Sequence, residues 1–222
     1  MEKCCAAVIS ISPYRQFGEL AVSRQLRFAP LSCGRHPNGM RGTFLSMICF
    51  FTALSAAAAA DQRDFRLEAL FGRLQQTEAR SEAEQIEGEI WSLWSTSEDE
   101  TSNILMRQGV LAMQARRYDL ALRQFDLLVE HEPGFSEGWN KRATVLYIVG
   151  KYRASIENIK RVLALESRHF GALSGLGMCY EALADPESAI AAYRLALKVN
   201  PHLPEARSRI DALVKEIRRN NI

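Results

Sequence analysis

Histidine is scarce in this chain, and beyond residue 60 cysteine is scarcer still. The four histidines are His36, His131, His169 and His202, each isolated in sequence. His131-Glu132 has no second histidine four places on, so the helix-borne zinc motif is absent. Of five cysteines, Cys4, Cys5, Cys33 and Cys49 fall in the first sixty residues. Beyond residue 60 only Cys179 remains, which cannot form an internal disulfide and has no metal-ligand spacing around it. Beside Met178 and Tyr180 it reads as a small buried hydrophobe. No phosphate-cradling loop is present, because Gly171, Gly175 and Gly177 sit inside a helical pattern, and no Gly-x-Ser-x-Gly elbow occurs. These absences exclude the common enzyme constellations: no catalytic residue, cofactor or metal is expected.

Charge of one sign is also lacking. The formal net charge is +2, but residues 1–60 hold six basic and two acidic residues, leaving 22 basic and 24 acidic of the totals of 28 and 26. The remainder is slightly acidic and has no basic stripe to follow a phosphate backbone, which argues against nucleic acid as a partner.

Residues 40–60 carry the three parts of a secretory signal: Arg41, the apolar stretch Thr43–Ser55, and an alanine run ending Ala58-x-Ala60 before Asp61. The stretch is short for a transmembrane span. Cleavage after Ala60 and export, to the periplasm of a bacterium, is the expectation, with retention as an anchor over 43–60 the alternative. Cys49 follows Ile48 in mid-run and does not suit lipoprotein attachment, and no paired arginine precedes the run. Residues 1–39 contain Pro13, Pro30 and Pro37 and show no periodicity. Two readings stand for them: a leader upstream of a true start at Met40, or an organellar presequence rich in arginine and serine.

What is abundant is a repeat of 34 residues. With blocks starting at 102, 136 and 170, the fourth place holds Leu105, Trp139 and Leu173, and the eighth Gly109, Ala143 and Gly177. The eleventh holds Ala112, Leu146 and Tyr180, the twentieth Ala121, Ser155 and Ala189, and the twenty-fourth Phe125, Ile159 and Tyr193. Pro133 and Pro201 lie two periods apart and break the chain between hairpins. Small residues at the eighth and twentieth places let two antiparallel helices approach, and large apolar residues fill the space on either side. This pattern resembles the tetratricopeptide repeat (TPR) family, in particular exported proteobacterial members. The third block fits best; the second departs at Ser155, Val162 and Ser167. The resemblance implies an all-α, right-handed solenoid of antiparallel helix hairpins.

The expected organisation is therefore a leader (1–39), a signal segment (40–60), an N-terminal helical hairpin or cap (61–101), three repeats (102–135, 136–169 and 170–203) and a C-terminal capping helix (204–222). In the N-terminal pair, Leu67, Leu70, Phe71 and Leu74 mark one amphipathic helix. Ser81-Glu82-Ala83-Glu84 is a capping box for a second, with Trp91 and Trp94 expected to bury the end of the first repeat.

The resemblance also implies a function, the binding of another protein or peptide along the concave face. There the second, fifth, ninth and twelfth places of each first helix point inward. They are Asn103, Met106, Val110 and Met113; Glu137, Asn140, Thr144 and Tyr147; Gly171, Ser174, Met178 and Glu181. The family's lysine, arginine and asparagine clamp for a C-terminal carboxylate is not matched, since the fifth places are Met106, Asn140 and Ser174. The methionines suit adaptable apolar contacts instead. The expectation is a non-catalytic scaffold or adaptor, with a membrane-tethered assembly factor or an accessory subunit of an enzyme as alternatives. Self-association, or the N-terminal helices, would be the rival occupants of the groove. Membrane contact is expected only if segment 43–60 is retained.

Overall fold

A computed structural model describes residues 64–220, with side chains to Arg219. The leader, the signal segment, its cleavage point after Ala60 and the four early cysteines lie outside the described residues. Within them the chain forms nine helices and no strand: α1 Phe65–Gln76, α2 Arg80–Trp94, α3 Glu100–Gln114, α4 Tyr118–His131, α5 Ser136–Ile148, α6 Tyr152–Leu165, α7 Phe170–Ala182, α8 Pro186–Val199 and α9 Pro204–Asn220. From α3 onward each helix packs on the next, while α3 also touches α5 and α5 touches α7. The first helices of the hairpins thus form one layer of an all-α solenoid and the second helices another. No helix of the described residues is long and apolar enough to cross a membrane.

Each hairpin turns at its fifteenth place. Arg116, Gly150 and Ala184 adopt φ of 57°, 77° and 58°. In each turn two amides fold back onto the preceding helix: Arg117 N–H bonds Ala112 O and Arg116 N–H bonds Met113 O, with matching pairs after α5 and α7. These crossed bonds satisfy the last carbonyls of the helix, as a left-handed terminating residue allows.

Inside each hairpin the eighth and twenty-fourth places are fitted to one another. A methyl group at Gly109 would lie 2.4 Å from the Phe125 ring, and one at Gly177 would lie 2.7 Å from Tyr193. In the second repeat Ala143 faces Ile159 instead, and both are buried. The pairing is therefore glycine with a ring, or alanine with a branched chain. Gly109→Ala is expected to destabilise the protein by about 1–2 kcal/mol, the overpacking cost exceeding the gain in helix propensity. Adding Phe125→Ile recreates the second repeat's pair, so a urea-unfolding cycle should show a favourable coupling of at least ~1 kcal/mol. Additive effects would refute the pairing.

Between hairpins, the third and tenth places carry the contact with the preceding repeat. Gly138 and Val145 meet α4, where a methyl group on Gly138 would touch Leu128 at 3.1 Å. Ala172 and Cys179 join the cluster of Ile156 and Ile159 on α6. Ala206 and Leu213 do the same on α8, so α9 continues the register as the first helix of a further repeat. Cys179 is fully buried, and its thiol lies 3.3 Å from the Ser155 hydroxyl.

The N-terminal hairpin follows a different rule. Helix α2 begins at Arg80 with Ala79 at its cap, two residues ahead of the Ser81 cap read from the sequence. Glu82 accepts instead from the Thr77 hydroxyl at 2.7 Å, which pins the turn. The hairpin does not bury the end of the first repeat, as was expected of its tryptophans. It packs across the inter-repeat turns further along the chain. Leu67, Leu74, Ile86, Ile90 and Trp94 are fully buried in one cluster with Phe170, against which Val199 and Leu203 also pack. Sequence periodicity identifies the apolar faces of α1 and α2 but carries no information about where they dock.

Candidate functional site

The inner-layer helices α3, α5 and α7 present the twelve inward places, and the structure divides them into two zones. Toward the helix N-termini the surface is covered. Asn103 is turned to the α2–α3 connection, its amide donating to Ser97 O at 2.7 Å and its oxygen accepting from Ser97 N–H at 3.0 Å. Gly171 lies under Trp91, where a methyl group would come within 2.6 Å of the indole. Glu137 is fully buried. Among the fifth places, Met106 belongs to the core of the first repeat, Asn140 is buried and Ser174 is half-buried.

Glu137 anchors this covered zone. Lys141, one helical turn on, places Nζ 2.8 Å from Oε1. Oε2 accepts from Asn140 Nδ2 at 2.8 Å and lies 3.0 Å from His169 Nε2. His169 caps α7, its Nδ1 accepting the Ala172 amide at 3.1 Å. That bond leaves the ring proton on Nε2, so the imidazole donates to the carboxylate. Trp94 stacks on the same imidazole at 4.1 Å and 10°, Trp91 meets it edge-on at 5.4 Å, and Lys141 sits 5.7 Å above Trp91. Burial alone would raise the Glu137 carboxyl, but Lys141 and the His169 bond outweigh it and hold the group down at about 2. Arg168 adds an ion pair to Glu68 at 2.8 Å and lies 4.5 Å over Phe71, and Asn200 donates to Glu87 at 2.8 Å.

Toward the helix C-termini the surface is open. Thr144 is exposed, its hydroxyl donating to Asn140 O at 2.9 Å. Val110 and Met113 pack partly against the first-repeat core, Tyr147 against the second, and Met178 against the α8–α9 cluster. The Tyr147 ring lies 5.4 Å from Tyr152, and burial followed by that neighbour pushes its phenol up. Glu181 closes this zone, accepting from the Tyr193 hydroxyl at 2.6 Å and from Arg209 Nε at 2.9 Å. The repeat-packing places lie between the two layers: Gly109, Ala121, Phe125, Ala143, Ser155, Ile159, Gly177, Ala189 and Tyr193 are buried, and Trp139 and Tyr180 partly so. Pro133 and Pro201 stand in the turns, where Pro133 O accepts the Trp139 indole N–H at 3.0 Å.

The Glu137–His169 pair was not identified from sequence, although both residues stood in plain sight. Glu137 occupies a second place, and His169 lies 32 residues on, immediately before the next block. A charged residue at an inward place followed by a capping histidine one repeat later is the only signal that sequence offers.

Helix hairpins in a constant 34-residue register, packed through places three, eight, ten and twenty-four, define a helical-repeat solenoid. Residues 171–203 match the family model described as tetratricopeptide repeat. A TPR repeat-containing protein of Rhizobium etli is 32% identical over 155 residues, which cover 70% of this chain and 76% of the relative. The chain belongs to the tetratricopeptide repeat family. Among solved structures, the Sgt2 TPR domain of Aspergillus fumigatus superposes with TM-score 0.53 at 19% identity, covering 55% of this chain and 83% of that one. The first TPR domain of Spaghetti (RPAP3), bound to an HSP90 peptide, superposes with TM-score 0.52 at 19% identity, covering 53% and 94%. The TPR2B domain of yeast Sti1 in its Hsp70 complex gives TM-score 0.51 at 13% identity, covering 53% and 99%. These likenesses establish the fold.

Proposed function

We propose that this chain is a non-catalytic scaffold or adaptor that holds a segment of another polypeptide on the open half of its inner face. The observation that carries the reading is the division of that face. The α1–α2 hairpin closes the end lined by Glu137 and Gly171, and leaves Thr144 exposed, with Val110, Met113, Tyr147 and Met178 half-buried around it. A strip of two methionines, a valine and a tyrosine suits apolar side chains of an extended or helical segment. Peptide complexes of the RPAP3 and Sti1 domains support a peptide as the class of ligand. The signal-like segment before Asp61 supports export to the periplasm as the setting.

Selection of binders from a displayed peptide library, followed by calorimetry, tests the reading. The triple variant Met113→Ala/Tyr147→Ala/Met178→Ala is expected to lose at least about tenfold in affinity, roughly 1.4 kcal/mol, with its helicity intact. Undiminished binding would remove the inner face from consideration. N-terminal sequencing of the chain from an osmotic-shock fraction should begin at Asp61, and recovery only with membranes would favour the anchored alternative.

A further inference from the structure

Places three and ten are the contact between one hairpin and the next, and they are filled in every case but one. Gly138 and Val145 are buried by α4, Ala172 and Cys179 by α6, and Ala206 and Leu213 by α8. In the first repeat the same places hold Ile104 and Leu111, which are 39% and 62% exposed. Place twenty-three follows suit: Asn158 and Ala192 are buried, whereas Gln124 is only half-buried. Ile104 is larger than Gly138, Ala172 and Ala206 at its place, and Leu111 is as large as the buried Leu213, although no hairpin among the described residues covers them. The N-terminal hairpin, which precedes α3 in the chain, is engaged elsewhere, against Phe170 and the turn before α9.

We infer that this end face of α3 is a self-association surface on which two copies of the chain meet head to head about a twofold axis. It is continuous with the interface that joins the repeats within one chain, being the first unit of that series. The other end of the solenoid cannot serve as its partner. There α9 turns Arg207, Asp211, Lys215 and Arg218 to solvent, a charged surface that offers, among the described residues, no apolar complement for a head-to-tail stack. Ile104 and Leu111 are seven residues apart, two turns along one side of α3. An antiparallel α3–α3 pairing centred between Arg107 and Gln108 sets Ile104 of each copy against Leu111 of the other. A self-complementary patch of this kind is what an isologous interface requires. The apolar area is small, as in weak, transient interfaces, so association is expected only at micromolar concentrations or above.

Sedimentation of the full chain from about 5 to 200 µM tests the pairing. The wild-type chain is expected to pass from monomer to dimer, and Leu111→Glu and Ile104→Lys are each expected to remain monomeric with unchanged helicity. Mixing the two variants should restore association, because each heterodimer keeps one Ile104–Leu111 contact and converts the other to an ion pair. A wild-type chain that stays monomeric, variants that associate as well as the wild type, or a mixture that fails to associate would each overturn the proposal. Peptide binding to Met113, Tyr147 and Met178 is read separately and is unaffected by the outcome.

Discussion

Trp94→Ala is expected to lower the unfolding free energy by about 4 kcal/mol and to release the α1–α2 hairpin from the solenoid. Trp94 is the largest fully buried side chain among the described residues. It contacts Phe71 at 5.9 Å, Trp91 at 5.4 Å and Phe170 at 5.2 Å between ring centroids, and lies flat on His169. The surrounding rings come from three separate stretches of chain, so they cannot collapse together into the space left behind. Most of the loss should therefore fall on the docking of the hairpin and little on the repeats, which hold one another through nearest-neighbour contacts. Hydrogen exchange would read this directly. Amides of 65–94 should lose protection, while those of α4, α5, α6 and α8 retain it. Trp94→Phe is expected to cost far less, about 1 kcal/mol, because the indole N–H is buried without a partner and its removal offsets part of the lost area. Full protection of the hairpin in Trp94→Ala would show that the ring is not its anchor.

The second large effect concerns Glu137. Its carboxyl is held at about 2, below the ordinary 4.5, so the folded state favours the charged form. The sign follows: the stabilisation is complete above about pH 4.5 and is lost as pH falls toward 2. Glu137→Gln is expected to cost about 3 kcal/mol at pH 7, since it removes the buried carboxylate that Lys141 Nζ meets at 2.8 Å and weakens the bond that orients His169. The same substitution should flatten stability between pH 4.5 and 2. Asp64, Glu82 and Asp99 are also held low, chiefly by hydrogen bonds from Arg66, Thr77 and Ser102, but they lie at the surface and leave only a shallow residual slope. Denaturant titrations at intervals across this range, for wild type and variant, provide the check. Parallel curves would remove Glu137 as the source of acid sensitivity.

The solenoid was legible in the sequence because its information is local and recurs. Gly109 with Phe125, and Gly177 with Tyr193, lie sixteen residues apart, and the 34-residue period repeats the same steric problem with the same kind of answer. The turns recur in the same register at 116, 150 and 184, although only Gly150 announces its left-handed conformation by residue type. Arg116 and Ala184 adopt it because the fold-back bonds of the turn outweigh their steric cost.

The inner face was legible in register but not in exposure. Counting places gives the residues expected to point inward, yet period alone could not show that Glu137 and Gly171 lie beneath the N-terminal hairpin while Thr144 remains open. That division depends on Trp94 meeting His169, Glu68 meeting Arg168 and Glu87 meeting Asn200, contacts between residues 75 to 113 positions apart that belong to no repeat. The sequence by itself determined the repeat, its packing pairs and its all-α class, because each rests on helix periodicity and neighbouring side-chain volume. Only the tertiary structure decided where α1 and α2 dock, which half of the inner face they leave open and that no described helix covers the α3 end of the array. Each of those depends on how surfaces formed far apart in the chain complement one another in shape and charge.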